Sequence, residues 1–267
     1  ELTLQRDPGR TFVARAAPVA TADGRGAVLV LHDITDLKRA DQIRRDFVAN
    51  VSHELRTPLT AIRGYVEALT DAPADAPDSR RFLEIIARHT QRMERLVKDL
   101  LRLARLDAGQ ETLEKAECSL DAVFAGVRTE LASTIEAKRQ IVRADLAPDA
   151  AAIVADPAKL HDVLRNLVEN AAIYAPEGTT IVVTSRAEGH RLLISVADEG
   201  PGIPDADLPR IFERFYRVDR ARSREAGGTG LGLSIVKNLV GLHGGTVRAA
   251  NRAEGGAIFT VTLRRGI

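Results

Sequence analysis

The chemistry this chain can do is most legible in Phe47-Val-Ala-Asn-Val-Ser-His-Glu-Leu-Arg-Thr-Pro-Leu59, where His53 is followed by Glu54 and, four residues on, by Thr57. A neutral imidazole near pH 7 is a competent nucleophile, and an adjacent carboxylate can orient it or take its proton. On a helix, His53 stands two places from both Val51 and Leu55, about 200° round the axis from each. It therefore points away from the apolar stripe and into solvent, with Thr57 on its own face. Pro58 removes the N–H that would reach the Glu54 carbonyl and is expected to bend the rod. A surface histidine on a surface helix satisfies the same periodicity, so spacing alone leaves both readings open.

A second set of residues begins about a hundred positions later. Asn166 and Asn170 are one helical turn apart, so their amides share a face, and Tyr174 follows on the same side. An asparagine amide offers an oxygen to a hard cation and a nitrogen to a phosphate. Asp198 closes a strand before Glu199-Gly-Pro-Gly-Ile203. Its carboxylate can accept from an exocyclic amine, while Gly200 and Gly202 let backbone approach a flat ligand beside Ile203. Ile211 to Arg217 reads as a short amphipathic piece, and Arg214 and Arg217 are suited to phosphate oxygens. A polar stretch to Ala226 has the composition of a mobile loop. Gly228-Thr-Gly-Leu-Gly-Leu233 then runs into a helix, so Gly228, Thr229, Gly230, Leu231, Gly232 and Leu233 border an anion site made of backbone N–H groups. It is no P-loop, since no Lys-Ser/Thr follows. Each segment alone also fits an ordinary turn or solvated surface.

Three regions position these residues. Residues 1–35 hold two short apolar runs, Thr11 to Val19 and Ala27 to Leu31, around a turn-rich segment, and read as a hairpin. Over residues 36–110, Ile43, Phe47, Val51, Leu55, Leu59, Ile62, Val66 and Leu69 recur at helical spacing. A Pro-containing loop from Asp71 to Ser79 follows, then a second stripe from Phe82 to Leu103. Two such helices form an antiparallel hairpin, and one apolar stripe per helix is best buried against a second copy, giving a homodimeric four-helix bundle. Residues 112–267 mix helices and strands: Asp156-Pro157 opens a helix to about Ala175, and strands recur at 181–185, 192–197, 246–250 and 258–263. The fold class is α+β, with helices on one face of a sheet in this last region.

Composition excludes several classes. Lys+Arg is 38 against Asp+Glu 37, for a net charge of +1, so nothing in the charge invites nucleic acid or an acidic membrane. No run approaches the roughly 20 apolar residues of a spanning helix. The single cysteine, Cys118, cannot form an intrachain disulfide and suits a reducing compartment. The chain begins with Glu1, which reads as a fragment with room for upstream membrane segments.

Ser52-His-Glu-Leu-Arg-Thr-Pro58 resembles the H-box of sensor histidine kinases. The later segments resemble the N, G1, F and G2 boxes of the GHKL ATPase superfamily, whose fold is the Bergerat α/β sandwich. The resemblance implies a two-component kinase that uses ATP and Mg²⁺. His53 would accept the phosphoryl group with help from Glu54, and Thr57 would support dephosphorylation of the partner. Asn170 would hold the metal, Asn166 would lie near the phosphates, Asp198 would read adenine, and Tyr174 and Ile203 would line the base. A response regulator receiver domain is the implied partner. A nucleotide-binding dimeric scaffold or phosphatase is the alternative. Ile173 departs from the family, which often carries Lys or Arg there, so one phosphate contact is either missing or supplied from elsewhere, for example by Arg217. Residues 1–35, ending Asp33-Ile-Thr35, are similar to the last strands of a PAS domain. The resemblance implies a cytoplasmic portion of a protein anchored in the bacterial inner membrane.

Overall fold

The computed structural model describes residues 2–4, 7–21, 24–71, 78–219 and 228–265. Most of the expected Asp71–Ser79 loop and the expected mobile stretch to Ala226 lie outside these residues. The chain divides into two compact units, Glu1–Leu59 and Thr60–Ile267.

The first unit opens with β1 (Leu2–Leu4), β2 (Asp7–Thr21) and β3 (Gly24–Asp33), an antiparallel sheet in the order β1-β2-β3. One residue, Ile34, separates β3 from α1 (Thr35–Asp71). The junction is tightly bonded. Thr35 donates through its N–H and its hydroxyl to Asp33 Oδ1, at 2.9 and 2.6 Å. The Thr11 N–H donates to Thr35 Oγ1 at 2.9 Å, and the Ile34 N–H to the Thr11 carbonyl at 2.9 Å. These bonds from Thr35 favour the ionised carboxylate and lower the pKa of Asp33. α1 runs unbroken through Pro58, which is buried.

In the second unit α2 (Ser79–Asp107) carries the expected stripe, with Leu96 and Leu103 fully packed. The Tyr65 and Phe82 rings meet at 5.3 Å between centroids. Next come β4 (Ala116–Ser119), α3 (Leu120–Glu130), α4 (Ala132–Ala137), β5 (Ile141–Leu146), β6 (Ala152–Ala155) and α5 (Pro157–Tyr174). The chain ends through β7 (Thr180–Glu188), β8 (Arg191–Ala197), α6 (Gly232–Leu242), β9 (Thr246–Asn251) and β10 (Ala257–Arg264). A five-stranded sheet runs β5-β7-β8-β10-β9, parallel only between β5 and β7, and β4 pairs with β6 separately.

Burial alternates along the strands. On β7, Ile181, Val183 and Ser185 are buried; on β10, Ala257, Phe259, Val261 and Leu263 are. That period of two turns one sheet face towards α3, α5 and α6, the layer expected of an antiparallel sheet covered on one side. Asp156 caps α5 by accepting from the Lys159 N–H at 3.1 Å. Its own N–H donates to His243 Nε2 at 3.2 Å, while His243 Nδ1 lies 2.8 Å from the Leu239 carbonyl. The ring therefore carries its proton on Nδ1, and the start of α5 is tied to the end of α6.

Candidate functional site

His53 is exposed on α1, Glu54 is half-buried beside it, and the Thr57 hydroxyl donates to the His53 carbonyl at 3.2 Å. The expected face is thus present: imidazole and threonine together, over a helix whose Glu54 carbonyl lacks its usual N–H partner because position 58 is proline.

In the second unit a pocket of about 540 Å³ opens between α5, the segment after β8, the glycine run before α6, and α2. That volume suits a small organic ligand, whose sites span roughly 300–1,000 Å³. Asn166, Asn170, Tyr174, Asp198, Gly202, Ile203, Arg217, Gly228, Thr229, Gly230, Gly232 and Leu233 all line it, so segments far apart in the chain converge. Three expected residues stand off it. Leu231 is a fully buried core residue ahead of α6. Gly200 acts from behind the wall: a Cβ there would come within 2.8 Å of Asp198 Oδ1 and 3.5 Å of the Tyr174 carbonyl. Arg214, expected at the phosphates, instead donates to Asp107 of α2 at 2.6 Å, because a carboxylate lies within reach of its guanidinium. The Ile211–Arg217 piece forms turns rather than a helix, and Phe215 takes a positive φ of 62°.

The polar groups are arranged by their neighbours. Asp198 is 4% exposed, and Oδ1 accepts from the Gly200 N–H at 2.8 Å and the Ala257 N–H at 3.2 Å. Burial raises its pKa, although those bonds pull the other way. Asn166 donates through Nδ2 to the Asp162 carbonyl at 2.7 Å, which leaves Oδ1 towards Gly232. A Cβ on Gly232 would lie 2.8 Å from that oxygen, so glycine is required for the close approach. Asn170 is half-buried with no side-chain hydrogen bond among the described residues, and its amide faces the pocket. Among the described residues no group of three His, Cys, Asp or Glu gathers as a metal cluster. A cation here would take the Asn170 oxygen and complete its shell from a ligand's phosphates, as a hard cation does.

Sequence reasoning missed four contributions. First, α2 borders the pocket with Arg95, Lys98, Asp99 and Arg102. Arg102 pairs with Asp162 at 2.5 Å and Arg95 with Glu169 at 3.5 Å. These cations and Arg217 line the same pocket as the uncharged Ile173. Second, Asp99 accepts from the Thr229 hydroxyl at 2.9 Å, and burial raises its pKa. Third, Lys138 donates to the carbonyls of Ala172, Ile173 and Ala175 at 2.8, 2.6 and 3.1 Å. A cation there satisfies the last carbonyls of α5 and matches the negative end of its dipole. Fourth, Asn251 and Arg252 contact the segment after β8. None of these has a short-range signal; all are contacts of high sequence separation.

Two family models match. One is "Histidine kinase-, DNA gyrase B-, and HSP90-like ATPase" over residues 155–267, and the other is "His Kinase A (phospho-acceptor) domain" over 43–109. The chain belongs to the sensor histidine kinases. It is 41% identical over 241 residues to the sensor histidine kinase WalK of Bacillus subtilis, covering 89% of this chain and 39% of that protein. It is 36% identical over 261 residues to the sensor-like histidine kinase SenX3 of Mycolicibacterium smegmatis, covering 96% and 67%. The chain thus spans well under half of the WalK it matches. The solved histidine kinase ThkA in complex with response regulator protein TrrA aligns with a TM-score of 0.69 at 25% identity, covering 96% of this chain and 75% of that one. The hairpin-then-sandwich architecture is that of the family. Among the described residues no helix is long and apolar enough to cross a membrane.

Proposed function

We propose that this chain is the kinase core of a two-component sensor: it binds ATP–Mg²⁺ in the pocket, phosphorylates His53, and passes the phosphoryl group to an Asp of a response regulator. The observation that carries the reading is the convergence of Asn170, Asp198 and the Gly228–Gly232 run on one pocket, in a chain that also presents an exposed His53 beside Glu54. In this reading Asp198 accepts from the adenine amine and Tyr174 and Ile203 flank the base. Backbone N–H groups at Gly228, Gly230 and Gly232 bind phosphate oxygens. Asn170 would hold Mg²⁺, which would supply charge compensation for the transferring phosphoryl group, and Arg217 with the α2 cations would add to that field.

At the acceptor, His53 Nε2 forms a bond to the γ-phosphorus while the bond from that phosphorus to the bridging oxygen breaks and ADP leaves. Glu54 takes the imidazole proton. A receiver carboxylate then attacks the phosphorus of the phosphohistidine, the P–N bond breaks, and Glu54 returns the proton so that neutral His53 is regenerated. Thr57, on the same face, serves the reverse hydrolysis of the phosphorylated receiver. Residues 36–110 form the dimerisation and phosphotransfer domain, 112–267 the catalytic domain, and 1–35 the end of a PAS-like domain. A homodimer accounts for the apolar residues that α1 and α2 leave exposed in one chain, Ile43, Leu59, Leu83 and Leu101 among them.

The test is labelling with γ-labelled ATP, followed by filter binding of acid-labile phosphate. Wild type gains label and His53→Gln gains none. Label on His53→Gln overturns the acceptor; nucleotide binding without any label in wild type supports the scaffold alternative instead.

A further inference from the structure

The segment Asp198–Ile203 forms one wall of the pocket yet has no regular secondary structure to hold it. Its two ends are held from outside by consecutive residues where β9 ends. Asn251 meets the Ile203 backbone at both polar groups: the Ile203 N–H donates to Oδ1 at 2.7 Å, and Nδ2 donates to the Ile203 carbonyl at 2.7 Å. The side-chain amide thus takes the place of a neighbouring strand. Arg252 donates through Nη1 to the Asp198 carbonyl at 2.7 Å. Neither side chain lines the pocket.

Register makes this possible. Ala257 lies opposite Asn251 in the β10–β9 pair, and Ile258 opposite Ala197 in the β10–β8 pair, so the end of β9 comes beside the start of the wall. Two glycines keep the approach close. A Cβ on Gly202 would lie 2.9 Å from Asn251 Oδ1, and one on Gly256 would run into the Asp198 carbonyl. Gly202 also takes a φ of +76°, which turns the chain so that both Ile203 groups face Asn251.

We propose that Asn251 and Arg252 are positioning residues for nucleotide binding: a two-residue clip that sets the distance between the carboxylate of Asp198 and the side chain of Ile203, and with it the fit of the base. This rests on the reading of the pocket as an ATP site. Without the clip, the wall orders only when a base binds, and that ordering is charged against affinity rather than against the chemical step.

The experiment measures autophosphorylation of the whole chain against ATP concentration for wild type, Asn251→Ala, Arg252→Met and Arg252→Lys, with GTP competition and thermal melting alongside. Asn251→Ala and Arg252→Met each raise the KM for ATP about three- to tenfold while kcat stays within about twofold, as expected for losing two neutral hydrogen bonds at Asn251 or the one donated by the Arg252 guanidinium. Both also weaken the preference for ATP over GTP. Arg252→Lys, which keeps a donor for the Asp198 carbonyl, recovers most of the loss. Asn251 is exposed, so its variant remains folded even if Arg252→Met does not. Unchanged KM and base preference in Asn251→Ala, with or without a lower melting temperature, overturn the clip. A wild type that binds no ATP overturns the pocket reading itself, and the clip with it.

Discussion

Asp99 of α2 accepts a 2.9 Å hydrogen bond from the hydroxyl of Thr229, one of the residues that would border the phosphates. In the proposed ATP site this carboxylate faces the phosphate end and would oppose a triphosphate by charge. Asp99→Asn keeps the acceptor oxygen and removes the charge, so it tightens ATP binding by about three- to tenfold, equivalent to about 1 kcal/mol. Titration with a fluorescent ATP analogue measures this. Burial raises the Asp99 pKa, so acid neutralises it earlier than an ordinary aspartate. The gap between wild type and variant therefore narrows as pH falls; a gap that widens contradicts the assignment.

Thr57 bonds to the His53 carbonyl and is exposed. Thr57→Ala costs the helix little, within about 0.5 kcal/mol for a surface site. It leaves phosphohistidine formation intact and slows hydrolysis of a phosphorylated receiver about tenfold or more, about 1.4 kcal/mol in the barrier. Loss of label from purified phospho-receiver reads the effect, and an unchanged rate removes Thr57 from that role.

Asp156 governs acid stability. It is 3% exposed, and burial alone would raise its pKa. Bonds from the Lys159 side chain and N–H and from the Glu114 N–H outweigh burial and lower it from 3.8 to about 2. The carboxylate therefore contributes about 2 kcal/mol that is present above its unfolded value and lost as pH falls towards 2. Asp156→Asn keeps the cap but not the charge. It melts several degrees lower near pH 7, at roughly 2–4 °C per kcal/mol for a unit of this size. The difference shrinks as the pH of the melt falls below 3.8 and is mostly gone near pH 2.

Much of the machinery was readable where chemistry is local. The His53–Pro58 box lies on one helix, and its face follows from 3.6 residues per turn. The Asp198 and Gly228–Gly232 segments announce themselves through glycine, which sequence displays directly. The clip on Ile203 was not legible, because Asn251 lies 48 residues away and its spacing carries no period. Lys138 is missed for the same reason: it serves α5 from 34 residues upstream. Arg214 was misplaced because an arginine near glycines suits a phosphate as well as it suits Asp107, and only the fold brings α2 within reach. Ile211–Arg217 reads only as an amphipathic piece, and the positive φ at Phe215 that shapes it has no sequence signal in a phenylalanine.

The single-residue joint between β3 and α1 leaves no slack. With Ile34 hydrogen-bonded to Thr11, and Thr35 to both Thr11 and Asp33, the hairpin and the start of the helix move as one piece. His53 lies roughly 27 Å along the axis from Thr35, at 1.5 Å of rise per residue. A tilt of that whole piece by about 5° therefore carries the imidazole sideways by about 2 Å over that rise. The helix is a lever fixed rigidly to the sheet, and displacements too small to alter the sheet are magnified at the imidazole.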